Sequence, residues 1–170
     1  RMFAILYIST LAVIAAICFI LGFHVLFRDR SSRINRLFFI NSMLLNAVIA
    51  FTVFIQISPD VETAGFLQSM YNILLIIFLL ESLYFNLVFT GRSLSRIIKV
   101  ILSAATLVVF IIFIFRGDDL LHLTKQKGVW VYELLNSRFW FLIYYPLFFL
   151  IVILMISTLY SYSRGASSNK

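Results

Sequence analysis

The sequence predicts an all-α, polytopic transmembrane bundle of five spans, with the N-terminus outside and the C-terminus in the cytoplasm. Three observations lead there. Hydrophobic residues make up 62% of the 170 residues and charged residues 12%, against about 25% charged in soluble domains. The apolar residues are gathered into five runs long enough to cross a hydrocarbon core of about 30 Å, which takes roughly 20 helical residues. The basic residues concentrate in alternate connections between those runs. The composition excludes a soluble globule, which could not hide so much apolar surface. It also excludes a disordered chain, which needs low hydrophobicity and high charge.

The first span, about 2–27, is free of charge and too long for a signal-peptide core, so it reads as a retained helix. The second, about 37–58, follows a stretch holding Arg28, Arg30, Arg33 and Arg36. The third, about 66–90, carries one charge, Glu81. The fourth, about 97–115, has Lys99 near its start, and the fifth, about 139–163, is charge-free and rich in aromatic residues. Residues 1–163 form one membrane domain, and 164–170 a polar cytoplasmic tail or the start of a linker. Long continuous apolar runs argue against porin-like strands, which alternate in polarity over about 10 residues. Helices also satisfy their backbone amides locally, as a bilayer demands.

Orientation follows from charge. Nine basic residues fall on one side if all five runs cross: the four arginines above, Arg92, Arg96, Lys99, Arg164 and Lys170. The other side has five: Arg1, Arg116, Lys125, Lys127 and Arg138. The positive-inside rule puts the richer side in the cytoplasm. The net charge of +7 therefore reports topology and contact with anionic lipid headgroups, and no nucleic-acid partner is expected.

One connection is long, Arg116–Arg138. Arg116-Gly117-Asp118-Asp119 reads as a turn and Leu120-Leu121-His122-Leu123 as a short interfacial helix. Val129-Trp130-Val131-Tyr132 is β-prone without an obvious pairing partner. Trp130, Tyr132 and Trp140 are expected in the aromatic belt at the outer interface.

Glu81 is the main chemical candidate. It lies about nine residues, roughly 14 Å, from the cytoplasmic end of its span, where a carboxyl is costly and faces the bundle interior. Asn46 and Thr106 sit at a similar depth on the second and fourth spans. The third span is the most polar: Gln68 and Asn72 are four apart and share a face, and Glu81 and Tyr84 roughly share another. Glu81, Asn46, Asn72, Tyr84 and Thr106 thus form a candidate polar pocket or switch, with helix–helix hydrogen bonding as the structural alternative. Pro146, inside the fifth span, is a candidate hinge, because proline removes a helical hydrogen bond and favours a kink. The lone Cys18 reads as a small apolar packing residue. Among small-xxx-small patterns only Ala12 and Ala16 stand out, weakly.

No metal site or cofactor is expected. His24 and His122 fall on opposite sides of the membrane, and one cysteine cannot build a cluster. No Walker loop, HExxH or nucleophile–base arrangement is present, so no catalytic residue is assigned and the chain is read as a non-enzyme.

Arg33-Ile34-Asn35-Arg36-Leu37-Phe38-Phe39 opening the second span, and Phe85-Asn86-Leu87-Val88-Phe89-Thr90-Gly91-Arg92 closing the third, resemble the N-terminal seven-helix sensor region of bacterial membrane histidine kinases. Asp119-Leu120-Leu121-His122-Leu123 and Phe139-Trp140 are similar in placement. The resemblance implies stimulus detection in a bacterial inner (cytoplasmic) membrane, passed to cytoplasmic phosphorylation in a two-component system. The chain departs from that pattern in having five spans. The phosphoacceptor histidine and ATP-binding lobe of such a receptor would lie outside it.

The leading functional expectation is a membrane sensor responding to a small-molecule or lipid ligand. The alternative is a non-catalytic structural or assembly subunit that packs against other membrane helices or a second copy. A transporter or channel component is a third reading, weakened by the lack of internal repeats.

Overall fold

The computed structural model describes residues 2–116, 120–126, 129–135 and 137–167. Four long helices come first: α1 (Met2–Arg28), α2 (Arg33–Ile57), α3 (Val61–Thr90) and α4 (Arg96–Arg116). A two-stranded hairpin follows, β1 (Leu121–Gln126) and β2 (Val129–Leu134). A single turn, α5 (Ser137–Phe139), leads through a π turn at Trp140–Tyr144 into α6 (Tyr145–Ser167). Five helical segments are long and apolar enough to cross a membrane, the fifth being Trp140–Arg164.

The helix boundaries have local causes. Asp29 Oδ1 accepts from the Ser31 amide and hydroxyl and from the Ser32 amide, closing the turn after α1. Ser32 Oγ then caps α2 by accepting from the Asn35 amide at 3.4 Å. Asp60 caps α3 in the same way, through the Thr63 amide at 2.8 Å. Gly91 ends α3 in the left-handed conformation, φ 66°, and the Arg92 amide returns to the Leu87 carbonyl at 2.9 Å. Such a left-handed helix end favours glycine, which lacks a Cβ.

Contacts along the helices give their directions. Arg33 meets Tyr84 and, further along, Asn41 meets Ser82, so α2 and α3 run antiparallel. Asn72 meets Tyr144 and Phe89 meets Tyr162, so α3 and the fifth segment run parallel. One end of the bundle therefore carries the arginine-rich connections and the other carries the hairpin.

Helix α3 is central. It packs against α2, α4, α6 and β1, and its buried residues include Gln68, Ser69, Asn72, Ser82 and Asn86 beside Ile76, Leu79 and Leu83. Ser82 Oγ donates to Asn41 Oδ1 of α2 at 2.8 Å, a hydrogen bond that fixes the α2–α3 register in an apolar surrounding. Helix α1 packs principally against α2. Its shielded positions include Ile8, Leu11, Ala15, Cys18, Gly22 and Val25, a stripe spaced three and four apart as a left-handed helix pair requires, with Phe23 and Leu26 beside it. Ala12 and Ala16 fall on the exposed face, and Gly22 makes the close approach. A Cβ at Gly22 would stand 2.9 Å from Ser42 Cβ.

The hairpin corrects two sequence expectations. Leu121–Gln126 is a strand, not an interfacial helix, and it is the partner that the β-prone 129–132 segment needs. Leu123 pairs with Tyr132 and Lys125 with Trp130. Alternation explains it: Leu123 and Trp130 are buried on one face, while His122, Val131 and Glu133 are exposed on the other. The chain is thus the expected helical bundle with one small β element added at its end. Asp118 and Asp119 of the expected turn lie outside the described residues.

The tryptophans also depart from expectation. Trp130 is 7% and Trp140 3% exposed, so both are interior rather than belt residues. Their indole N–H groups have internal partners: Trp130 Nε1 donates to the Ser58 carbonyl at 3.0 Å and Trp140 Nε1 to the Leu120 carbonyl at 3.2 Å. Gln56 meets the Trp130 backbone twice, donating to its carbonyl at 3.3 Å and accepting from its amide at 3.1 Å. The hairpin is therefore fastened over the α2–α3 turn, where Ile55, Ala64, Leu123 and Trp130 form a small core.

Candidate functional site

At the hairpin end, α3 and the π turn enclose a cavity of about 210 Å³. Gln68, Tyr71, Asn72 and Leu75 of α3 form one wall. Trp140, Tyr144, Tyr145, Phe148 and Phe149 form the other, and Leu134 of β2 closes the end.

The irregular helix produces this wall. Pro146 has no amide hydrogen and its ring crowds the preceding turn. The chain widens just before it, and the Tyr145 amide reaches back to the Trp140 carbonyl, a five-residue step. The widened turn directs Trp140 and Tyr144 inward, at 3% and 4% exposure, while Pro146 itself faces outward. Trp140 and Tyr144 pack edge to face at 4.8 Å between centroids, and Phe113 of α4 packs against both rings. These contacts hold the aromatic wall rigid.

Two amides face that wall. Asn72 Nδ2 donates to the Gln68 backbone carbonyl at 3.0 Å, and Asn72 Oδ1 accepts from the Tyr144 hydroxyl at 3.4 Å. Gln68 is 6% exposed; Asn72 takes up its backbone carbonyl, and its carboxamide atoms are not among the buried unpaired ones, so they are open to the cavity. Among the described residues, no charged side chain lines the cavity.

Of the five sequence candidates, only Asn72 lies here. Asn46 donates to the Ser42 carbonyl of its own helix at 2.8 Å. Tyr84 is 41% exposed at the opposite end of the bundle, where its hydroxyl accepts from the Arg33 guanidinium. Glu81 Oε1 and Thr106 Oγ1 are buried atoms without hydrogen-bond partners, so they do not bond to each other. The hydrogen bonds among the described residues therefore do not join the five into one cluster. Sequence reasoning placed Gln68 and Asn72 on a common face, and they line one cavity. It did not identify the aromatic wall, whose signal was the Trp140-Phe141-Leu142-Ile143-Tyr144-Tyr145 run directly before Pro146.

Among the described residues, no group of three or more histidine, cysteine, aspartate or glutamate side chains could hold a metal ion. The arrangement offers shape, aromatic surface and an amide open to the cavity, which suit recognition. Comparison with protein-family models, curated proteins and solved structures returns no match to this chain.

Proposed function

We propose that this chain is a membrane sensor, in which occupancy of the cavity at the hairpin end moves the fifth helical segment relative to α3. The observation that carries the reading is the paired contact between these two parallel helices. They meet at Asn72 and Tyr144 beside the cavity, and again at Phe89 and Tyr162, whose ring centroids are 5.7 Å apart. The two contacts are 17 residues apart on α3, or roughly 26 Å along the axis. A ligand that favours one arrangement of Tyr144 over another thereby biases the far end of the same helix pair. It does so only to the extent that its affinity for the two arrangements differs.

The π turn before Pro146 is the natural place for that change, because π turns break the regular ladder and commonly mark functional positions. In this reading the arginine-rich end faces the cytoplasm and the hairpin end faces outward, as the charge asymmetry favours. The reading accords with the resemblance to the membrane region of histidine-kinase receptors. Phosphorylation in such a system would be carried by a cytoplasmic module outside residues 1–170.

The test is cross-linking of Phe89→Cys with Tyr162→Cys in a Cys18→Ala background, with the chain in lipid nanodiscs. Leu75→Trp fills the cavity. A changed cross-linking rate on filling supports the sensor reading, and an unchanged rate overturns it.

A further inference from the structure

The cavity also carries information about its occupant. Resting on the sensor reading for its consequence, but not for the binding itself, we infer that the site takes a neutral amphiphile. Its head group carries a hydrogen-bond donor and acceptor side by side, as a secondary amide does, and its apolar tail reaches into the bilayer.

Three observations converge on that class. First, Gln68 is 6% exposed and lines the cavity, and its carboxamide atoms, which are not among the buried unpaired ones, are open to it. A ligand that seats there displaces whatever solvates that carboxamide and must replace its hydrogen bonds, so a head group that does so is favoured over one that leaves it unmet. A carboxamide presents a donor and an acceptor together, and its complement is a group that does the same.

Second, among the described residues the lining contains no lysine, arginine, histidine, aspartate or glutamate. An anionic or cationic head group would be stripped of water with no counter-charge, which is strongly unfavourable. The aromatic rings offer a cation some compensation. However, Trp140, Tyr144 and Tyr145 are turned edge-on or tilted against one another, at centroid separations of 4.8 to 6.0 Å, and so are engaged with each other.

Third, the lining runs from the buried Gln68 and Trp140 to Phe149, which is 57% exposed on the flank of the bundle. In a membrane that flank is in contact with lipid tails. The polar end of the cavity is thus closed by the hairpin, and the apolar end opens sideways. A molecule seated here would have its head group near Gln68 and its tail passing Phe149 into the hydrocarbon.

The experiment uses the full chain in nanodiscs with Trp130→Phe, leaving Trp140 as the single tryptophan reporter. The probe is N-octanoyl ethanolamine with a bromine on its acyl chain, which quenches a tryptophan it touches. Octanoate and octyltrimethylammonium, brominated in the same way, serve as anionic and cationic comparators.

Saturable quenching by the neutral amide is expected, with at least tenfold weaker binding of either charged probe. Gln68→Leu should weaken the neutral probe at least tenfold, and Leu75→Tyr, which fills the cavity without adding a second tryptophan, should abolish saturation in a chain whose folding is confirmed by its helical circular dichroism. Non-saturable quenching overturns the inference. So does equal affinity in Gln68→Leu, or tighter binding of a charged probe. If the amide binds as expected while the Phe89–Tyr162 cross-link ignores both the probe and Leu75→Trp, the ligand class stands and the sensor reading falls. If the cross-link responds to Leu75→Trp but the amide shows no preference, the reverse holds.

Discussion

Gln56 and Trp130 are joined by two hydrogen bonds, from the Gln56 side-chain amide to the Trp130 carbonyl at 3.3 Å and from the Trp130 amide to Gln56 Oε1 at 3.1 Å. A side chain of α2 here occupies the place of a third strand and pins the hairpin to the helical bundle. Gln56→Ala removes both bonds. At about 0.5–1.5 kcal/mol net for each bond, the expected loss is about 1–3 kcal/mol. Hydrogen exchange should show it as faster opening of residues 121–134, with α1 unaffected. Uniform protection in the variant would mean that packing of Trp130 alone holds the hairpin.

The approach of α1 to α2 depends on Gly22. Because an added Cβ would fall 2.9 Å from Ser42 Cβ, Gly22→Ala is expected to destabilise the pair by about 1–3 kcal/mol, the usual range for overpacking. Ser42→Gly removes the opposing atom and should restore part of that loss. A double-mutant cycle on thermal unfolding in nanodiscs checks the coupling. Additive effects would show that the two residues do not meet.

Glu81 stands apart from the cavity, and its Oε1 is buried without a partner. Replacing such a group by an apolar one of similar shape removes a desolvation cost and breaks no hydrogen bond found among the described residues. Glu81→Met is therefore expected to raise stability, by about 1–3 kcal/mol, and to leave Trp140 quenching unchanged. A marked loss of stability would point instead to a partner helix that satisfies the carboxyl.

Acid sensitivity should arise at the helix ends. At Asp60, hydrogen bonds from the Thr63 amide and then its hydroxyl hold the carboxyl below its ordinary value of 3.8. At Asp29, the Ser31 hydroxyl and then its amide act in the same direction. A group depressed on folding contributes its stability fully above the unfolded value and loses it as pH falls through the lower folded value. Asp60→Asn should therefore differ most from the native chain near neutral pH. The two melting temperatures should converge as pH drops below the ordinary carboxylate range. A difference that grows on acidification would reverse the assigned sign.

The spans were legible because each needs only length and apolar composition, and α1 to α4 begin and end within a few residues of their expected limits. What faced what was not. Along α1 nearly every residue is apolar, so the stripe through Ile8, Leu11, Cys18 and Gly22 leaves no polar contrast to read. The hairpin was half visible: the 129–132 segment was recognised as β-prone. The alternation from Leu121 to Gln126 was obscured by its leucines, which also favour helix. Two such runs separated by only Lys127-Gly128 are a hairpin signal. The polar face of Gln68 and Asn72 could be placed by spacing alone. Tyr144, the partner of Asn72, could not, since the π turn rotates it away from where a regular helix would put it.

Coupling between the cavity and the far end of the α3–α6 pair is the central claim, and a spin-label distance tests it most directly. Labels at positions 89 and 162 report the pair that touches through Phe89 and Tyr162. Labels at 38 and 85 report the α2–α3 contact between Phe38 and Phe85, at 6.1 Å between centroids, as an internal control. The account predicts that Leu75→Trp shifts the 89–162 distance distribution and leaves 38–85 in place. Identical 89–162 distributions with the cavity empty and filled would contradict it.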